Sequence, residues 1–526
     1  MKIKAKVVSG RYFDSVSLMR VAREVLQMPG VEDAAVVMAT AKNKEIVDAS
    51  GLLLPEFKNA AENDLLICVK ADNEKTADAG LAQAETVLSA KTKTGETGAF
   101  RPRSLAGALA EHPDTNLVLI SVPGQYASAE ARKTLEAGRH VMLFSDNVPL
   151  EDEIALKQLA APKGLLVMGP DCGTAIINGV PLAFANVVRR GPIGCVAAAG
   201  TGLQAVTSII SNLGSGISQA IGTGGRDIKK AVGGLAFRTG LTMLKNDPDT
   251  RVVVLTAKPP DPEVLEILSA EIKQLGKPVV ALFFGGDPEA VRKAGAIPAS
   301  TLEEAAHLAV ALEAGENPEM AVNRLVLHEK NLEETANETS AHLAPNQKYL
   351  RGLFCGGTFS QEALTLLKPQ LGKIHSNISP DAALPDAWKS VEHTIVDLGE
   401  DEFTVGRPHP MIDFSLRNRR ILEEAADPET AVILLDVVLG YGSNMQPAEE
   451  LSPVLMKAME TAESSGRHLA VIVSVTGTPG DPQNMDHVVN TLKTTSAIVL
   501  SSTAAAAKLA GKIISRIDTN RSTRHE

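Results

Sequence analysis

Hydrophobic and polar positions change rhythm along this chain, and each rhythm predicts a different kind of domain. Over residues 1–92, Lys2–Val8 and Asp33–Met38 alternate, Asp64–Lys70 forms a strand-like run, and Ser15–Gln27 and Glu74–Lys91 carry helical periodicity. The order β-α-β, loop, β-α predicts a small ferredoxin-like unit. Residues 91–103, KTKTGETGAFRPR, are polar and rich in Gly and Thr, which predicts a linker. From Asn116, the apolar runs Leu117–Val122, Val141–Ser145 and Leu165–Met168 alternate with helical stretches Ser128–Ala137 and Leu150–Leu159. Residues 104–190 are therefore expected to form an α/β region with short loops.

The rest of the chain follows one plan twice. In residues 191–315 the apolar run Cys195–Ala199 leads into Gly200-Thr201-Gly202, then Gly222-Thr-Gly-Gly-Arg-Asp227. Asp247-Pro248-Asp249-Thr250 precedes Val252–Thr256, and Val279–Phe284 leads into Gly286-Asp287-Pro288. In residues 348–516, Leu353–Cys355 leads into Gly356-Gly357-Thr358, followed by Gly406-Arg407-Pro408-His409-Pro410. Asp427-Pro428-Glu429-Thr430 precedes Val432–Val437, and Leu469–Val475 leads into Gly480-Asp481-Pro482. A repeat of this length is a domain duplication rather than a solenoid. Continuous apolar runs ending in Gly-rich turns predict two open parallel sheets of flavodoxin type, whose strand ends bind anions. Residues 316–347, rich in Glu, Asn and Ala, are expected to connect the halves as a helical or extended segment. The terminal IDTNRSTRHE is expected to fray.

Composition narrows the function classes. A chain of 526 residues is too long for one core and implies about three or four domains. Only 3% of residues are aromatic, with Trp388 the single tryptophan, so the cores must be built from Val, Leu, Ile and Ala. A net charge of −11 without a basic stripe argues against a nucleic-acid surface. Cys68, Cys172, Cys195 and Cys355 lack metal or CxxC spacing, so no metal site is expected and a reduced cytoplasm is the simplest setting. The start MKIKAKVVSGRYFD lacks a signal-type apolar region, and no apolar run reaches membrane-spanning length.

Candidate chemistry concentrates in the Gly-rich turns. Gly200, Thr201 and Gly202 end a strand and open a helix, where free N–H groups attract negative charge; the competing reading is an ordinary βα turn. Gly222, Gly224 and Gly225 bare a loop to which Arg226 adds a cationic fork, with Asp227 placed to orient it. In the second half Gly357, Thr358, Gly406, Asp413 and Asn444 occupy comparable turns. Arg407 and His409 lie between stiffening prolines, and an imidazole there suits proton transfer or carbonyl polarisation. The competing reading for His409 is a solvent-exposed turn histidine. Cys172 has no neighbouring His or Lys in sequence and reads as a buried small residue. Arg11 in the N-terminal turn is a weaker candidate for a ligand or partner contact.

The segments MGPDCGT, PLAFANV, GPIGCVAAAGTGLQ, IGTGGRDIKKAVGG, VDLGEDEFTVGRPHPMID and LLDVVLGYG, with GRYFDSVSLM near the start, resemble the FdrA family across essentially the whole chain. That family is similar to succinyl-CoA synthetase, so residues 104–315 resemble its α subunit, with a truncated CoA-binding-like Rossmann-type region at 104–190, and 348–516 a fused ligase-type domain. Ligases of that superfamily carry a phosphorylated histidine after the strand matching Val279–Phe284. Here that strand runs into Gly285-Gly286-Asp287-Pro288, and no histidine follows before His307. The resemblance implies a subunit of a multisubunit oxamate carbamoyltransferase in allantoin breakdown, converting oxalurate and phosphate to oxamate and carbamoyl phosphate without a cofactor. On that reading Arg226, Arg407 and His409 are catalytic. The Gly-rich loops facing a shared crevice take the phosphate, and Arg407 and His409 take the oxamate carboxylate and the carbamoyl carbonyl. Two alternatives stay open: an acyl-CoA synthetase using CoA and a nucleotide, and a non-catalytic scaffold.

Overall fold

The computed structural model describes residues 2–522 apart from 12, 14, 41–42, 45–46, 49–50, 94–101, 103 and 405–406. Most of the expected linker, and Gly406, therefore lie outside the described residues. Two compact units divide the chain: residues 1–115, 121–130 and 400–409 form one, and residues 116–120, 131–399 and 410–526 the other.

The first unit is built on an antiparallel sheet of order β1-β3-β2, from β1 (Lys2–Val8), β2 (Val31–Met38) and β3 (Leu65–Ala71). Helices α1 (Ser15–Leu26) and α2 (Glu74–Lys93) belong with it in the expected ferredoxin-like order. Alternation decides its two faces. Val36, Met38, Ile67 and Val69 join Leu18, Val21 and Val25 of α1 in one core, while Val37, Leu66 and Cys68 pack with Val47, Leu52 and Phe57 on the other.

In the second unit, β4 (Leu117–Ile120), β5 (His140–Leu143) and β6 (Val167–Met168) form a short parallel sheet, with α3 (Leu150–Ala160) following β5. A seven-stranded sheet comes next, in the order β13-β12-β11-β9-β10-β7-β8. Its strands are β7 (Thr174–Ile177), β8 (Val180–Ala183), β9 (Arg190–Ala197), β10 (Ile217–Gly222), β11 (Val252–Ala257), β12 (Val279–Phe283) and β13 (Ile297–Pro298). The hairpin β7–β8 is absent from the sequence reading because its strands are only four residues long. Its turn, Asn178-Gly179 with both φ positive, is the local signal that marks it. Helices α4 (Gly200–Asn212), α5 (Leu235–Asn246) and α7 (Leu302–Glu313) follow β9, β10 and β13, with α6 (Pro262–Lys273) after β11.

The connector is a helix, α8 (Pro318–Ala341). It leads to a six-stranded parallel sheet, β15-β16-β14-β17-β18-β19. The strands are β14 (Tyr349–Phe354), β15 (His375–Ser376), β16 (Thr394–Asp397), β17 (Thr430–Val438), β18 (Ala470–Thr476) and β19 (Ile498–Leu500). Helices α9 (Gly357–Leu371), α10 (Ser415–Ala426), α11 (Pro447–Glu463) and α12 (Thr503–Ser522) complete this half. Of the last ten residues, expected to fray, 517–522 are helical and 523–526 lie outside the described residues; α12 is tied by Lys508 to Glu329 and by Lys512 and Arg516 to Glu333 of α8. Buried Ala506, Leu509, Ala510 and Ile513 give it an apolar stripe that a composition-based reading of its polar end overlooks.

Setting aside the short edge strand β15, both halves share one parallel topology. Strands β10-β9-β11-β12-β13 and β16-β14-β17-β18-β19 each read 2-1-3-4-5 in chain order, the flavodoxin-like arrangement. A single core spans them, with Leu203, Val206 and Ile210 of α4 in the same cluster as Phe359, Ala363 and Leu367 of α9.

Candidate functional site

In a 2-1-3-4-5 sheet the strand order reverses between the first and third strands, which opens a crevice at their carboxyl ends. The first half has this point between β9 and β11, and α4 opens there with Gly200-Thr201-Gly202. No side chain caps that helix start, and among the described residues the amides of Ala199, Gly200, Thr201 and Gly202 reach no other acceptor. The helix dipole adds about half a positive charge. Beside them on β11, the Thr256 hydroxyl is buried without a hydrogen-bond partner among the described residues.

The second half repeats the geometry between β14 and β17, where α9 opens with Gly357-Thr358. These two helix starts touch. A side chain at Gly202 would lie 2.8 Å from Thr358 Cγ2, and one at Gly356 would lie 3.0 Å from Thr201 Cγ2. Each threonine occupies space that only a glycine leaves open, so Gly200, Thr201, Gly202, Gly357 and Thr358 come together.

The 222–227 loop lies against the first of these points. Thr223 donates its amide to Ala197 O at 2.8 Å, and Gly225 approaches Ala198 O. Its glycines are packing glycines: a Cβ on Gly222 would be 2.4 Å from Thr174 O, and one on Gly224, at φ +81°, 2.4 Å from Pro170 O. Of the loop's two charges, Asp227 turns inward and Arg226 stays partly exposed. Buried Asp227 accepts from Lys157 Nζ at 2.9 Å, Ala236 N at 3.1 Å and Phe237 N at 2.8 Å, so it closes the start of α5. Lys157 also donates to Glu153 at 2.8 Å and to Thr223 O at 3.1 Å. Arg226 pairs through Nε with Glu153 Oε2 at 2.8 Å and donates to Val148 O at 2.9 Å.

The second switch point has a different electrostatic character. Asp436, fully buried on β17, accepts from Cys355 N at 2.8 Å and Gly356 N at 2.9 Å. Arg417, equally buried on α10, donates through Nη1 to Asp436 O at 2.5 Å and lies 3.4 Å from Asp436 Oδ1. Burial pushes the Asp436 carboxyl above its ordinary value, against the pull of Arg417 and the two amides. Asp397, 3% exposed at the end of β16, accepts from Gly399 N at 2.9 Å.

Asp413 and Asn444 lie in turns that they themselves shape. Asp413 accepts from Ser415 N at 2.7 Å, at the start of α10. Asn444 donates to Glu450 at 2.9 Å and accepts from Gln446 N at 2.8 Å. Arg407 and His409 belong to the first unit. The His409 ring is half-buried in surface terms yet closely surrounded, and desolvation lowers its pKa to about 4, so it is neutral at pH 7. Cys172 is buried and its thiol is pushed up to about 12, as a structural cysteine requires.

Sequence reasoning missed Thr256, Lys157, Asp397, Asp436 and Arg417. For Asp436 a signal existed, a lone carboxylate in the apolar run Val432–Val438. It also missed the seam between the halves. There Asp481 accepts from Val187 N at 2.7 Å, Asn186 Nδ2 at 2.8 Å and Thr478 N at 2.7 Å.

Residues 1–102 match the family described as "AllF, heavy metal-associated domain", and residues 353–513 the family described as "CoA-ligase". A heavy metal does not fit the residues present. Cys68, the one cysteine of the first unit, is buried with its thiol pushed up to about 12, and no group of three or more potential ligands occurs among the described residues. The uncharacterized protein YahF of Escherichia coli (strain K12) is 42% identical over 520 residues, covering 98% of this chain and 99% of that protein. The succinate–CoA ligase [ADP-forming] α subunit of Methanothermobacter thermautotrophicus is 28% identical over 178 residues, 33% of this chain and 59% of that one. A dinucleotide-forming acetyl-coenzyme A synthetase 1 from Ca. Korarchaeum cryptofilum overlays with a TM-score of 0.34 at 14% identity, covering 84% of this chain and 93% of that chain. Among the described residues no helix is long and apolar enough to cross a membrane.

Proposed function

The chain belongs to the family of YahF, with a CoA-ligase-like second half, and from that premise we propose that it is a subunit of a carbamoyltransferase acting on oxalurate and phosphate. One observation carries this reading. The first switch point offers uncapped amides and a buried hydroxyl with no carboxylate among them, while the β12 end that would hold a phosphorylated histidine runs into Gly285-Gly286-Asp287-Pro288. Such a cradle suits a phosphate taken from solution and has no residue there to carry it covalently.

In the proposed step, a phosphate oxygen held by the amides of Gly200, Thr201 and Gly202 attacks the carbamoyl carbon of oxalurate. The C–N bond to the oxamate nitrogen then breaks, and the proton lost by phosphate goes to that nitrogen. Oriented backbone dipoles stabilise the intermediate's oxyanion without reorganising. Arg226, held by Glu153, is assigned to fixing the 222–227 loop.

The test uses the chain with whichever subunits co-purify, assayed for carbamoyl phosphate formed from oxalurate and phosphate. Thr256→Val is expected to raise KM for phosphate about 10-fold, the worth of one hydrogen bond to a charged ligand. The CoA-ligase match over residues 353–513 favours a second reading, acyl-CoA synthesis. An assembly that binds CoA at micromolar concentration and ignores oxalurate and carbamoyl phosphate would establish it and remove the first.

A further inference from the structure

Strand register places the two switch points in one-to-one correspondence. In the first half Ala197 on β9 is flanked by Gly222 of β10 and Thr256 of β11. In the second half Phe354 on β14 is flanked by Asp397 of β16 and, one step beyond the pair Leu353–Leu435, by Asp436 of β17. Gly222 and Thr256 therefore stand where the second half has Asp397 and Asp436.

The consequence shows in the backbone. Ala198 N donates to the main-chain oxygen of Thr256, and the next amide, of Ala199, reaches no acceptor among the described residues. In the second half the corresponding two amides, of Cys355 and Gly356, both donate to the Asp436 carboxylate, one to each oxygen. Arg417 lies behind that carboxylate, 0% exposed, with Nε and Nη2 lacking partners among the described residues. Two consecutive amides and a buried guanidinium around one carboxylate is the donor set of an anion site.

We infer that the second switch point is an anion site already filled by the chain's own Asp436, so that the duplicated fold takes one anion from solution, at the first switch point only. This rests on reading the first switch point as the phosphate site. The division of roles has a functional consequence. Where the two helix starts meet, the idle amides of α4 have no carboxylate beside them, whereas the amides of Gly357 and Thr358 at the start of α9 stand next to Asp397 and Asp436, so a small anionic ligand binds at α4 in one orientation rather than two. Asp436 is thus a specificity-determining residue that contacts no ligand.

Asp436→Ala removes the built-in anion and leaves both amides and Arg417 without it. Formate is the probe, since it restores a carboxylate in the vacated space, with chloride at matched ionic strength as control. Formate is expected to raise the variant's thermal midpoint by at least about 3 °C at saturation, and to leave the wild type and Asp436→Asn, whose amide fills the space, unmoved. Should Asp436→Ala accumulate unfolded, its refolding yield with formate against chloride is read instead, with a severalfold gain expected. No response to formate in either measurement overturns the inference, as does a wild type that binds two phosphates per chain by calorimetry. A wild type that binds no phosphate, beside a formate-rescued variant, sinks the phosphate reading of the first switch point and leaves the assignment of Asp436 standing.

Discussion

Substituting Asp227 separates a ligand-binding role from a structural one. The carboxylate is fully buried and does two things at once. It caps α5, whose N-cap residue Gly234 offers no side chain, through Ala236 N and Phe237 N. It also balances Lys157, whose other carboxylate partner, Glu153, is shared with Arg226. Asp227→Ala leaves one carboxylate between two cations, one of them buried. Losing the cap costs about 1 kcal/mol. Breaking the buried pair costs about 3–5 kcal/mol, and because the two effects share atoms a total near 4 kcal/mol is expected. Hydrogen exchange of a peptide covering residues 230–240 reads this locally, since opening α5 exposes the capped amides. About 4 kcal/mol corresponds to roughly three orders of magnitude less protection. The exposed pair Lys230–Glu263 is the control, and Glu263→Gln is expected to change nothing measurable. If Asp227→Ala kept protection within tenfold of the wild type while abolishing phosphate binding, the structural account would be refuted and the ligand role restored.

Three further outcomes are expected. Asp481→Ala removes the acceptor for Val187 N, Asn186 and Thr478 N at the seam, and should lower stability by about 3 kcal/mol in urea unfolding; a loss under about 0.5 kcal/mol would show that the seam is held by packing alone. Glu362, buried beside Leu302 N, has its pKa raised from 4.5 to about 7 by desolvation. The folded chain then holds a proton that the unfolded chain has lost between those values, so the stability from this group is complete below pH 4.5 and disappears as pH rises through 7. The effect amounts to about 3 kcal/mol at most. Glu362→Gln should flatten that decline in urea midpoints measured between pH 5 and 7.5, and an unaltered slope would reject it. The four buried cysteines, with Cys172 and Cys195 pushed up to about 12, should react with a thiol reagent only after unfolding; fast labelling of any one in the native chain would contradict their burial.

The division between sequence and tertiary structure follows the range of the forces involved. Buried parallel strands must be apolar along their whole length, so Val252–Thr256, Val279–Phe284 and Val432–Val437 announced themselves, and the repeat of their spacing announced the duplication. Gly-rich turns after strands are equally local, which made Gly200–Gly202 and Gly357–Thr358 legible as helix starts. Which charges stay available is a long-range matter. The 222–227 loop read as a cationic ligand loop, but Lys157, brought from α3, takes up the buried Asp227, while Arg226 pairs with Glu153 and keeps its side chain partly exposed. Asp436 and Arg417 read as unremarked residues of a strand and a helix until the strand order set them behind the first turn of α9. Hydrophobic period and turn chemistry act over a few residues and are written in the chain; a buried charge is stable only beside partners that the fold delivers, so the open and the occupied crevice were decided by tertiary structure.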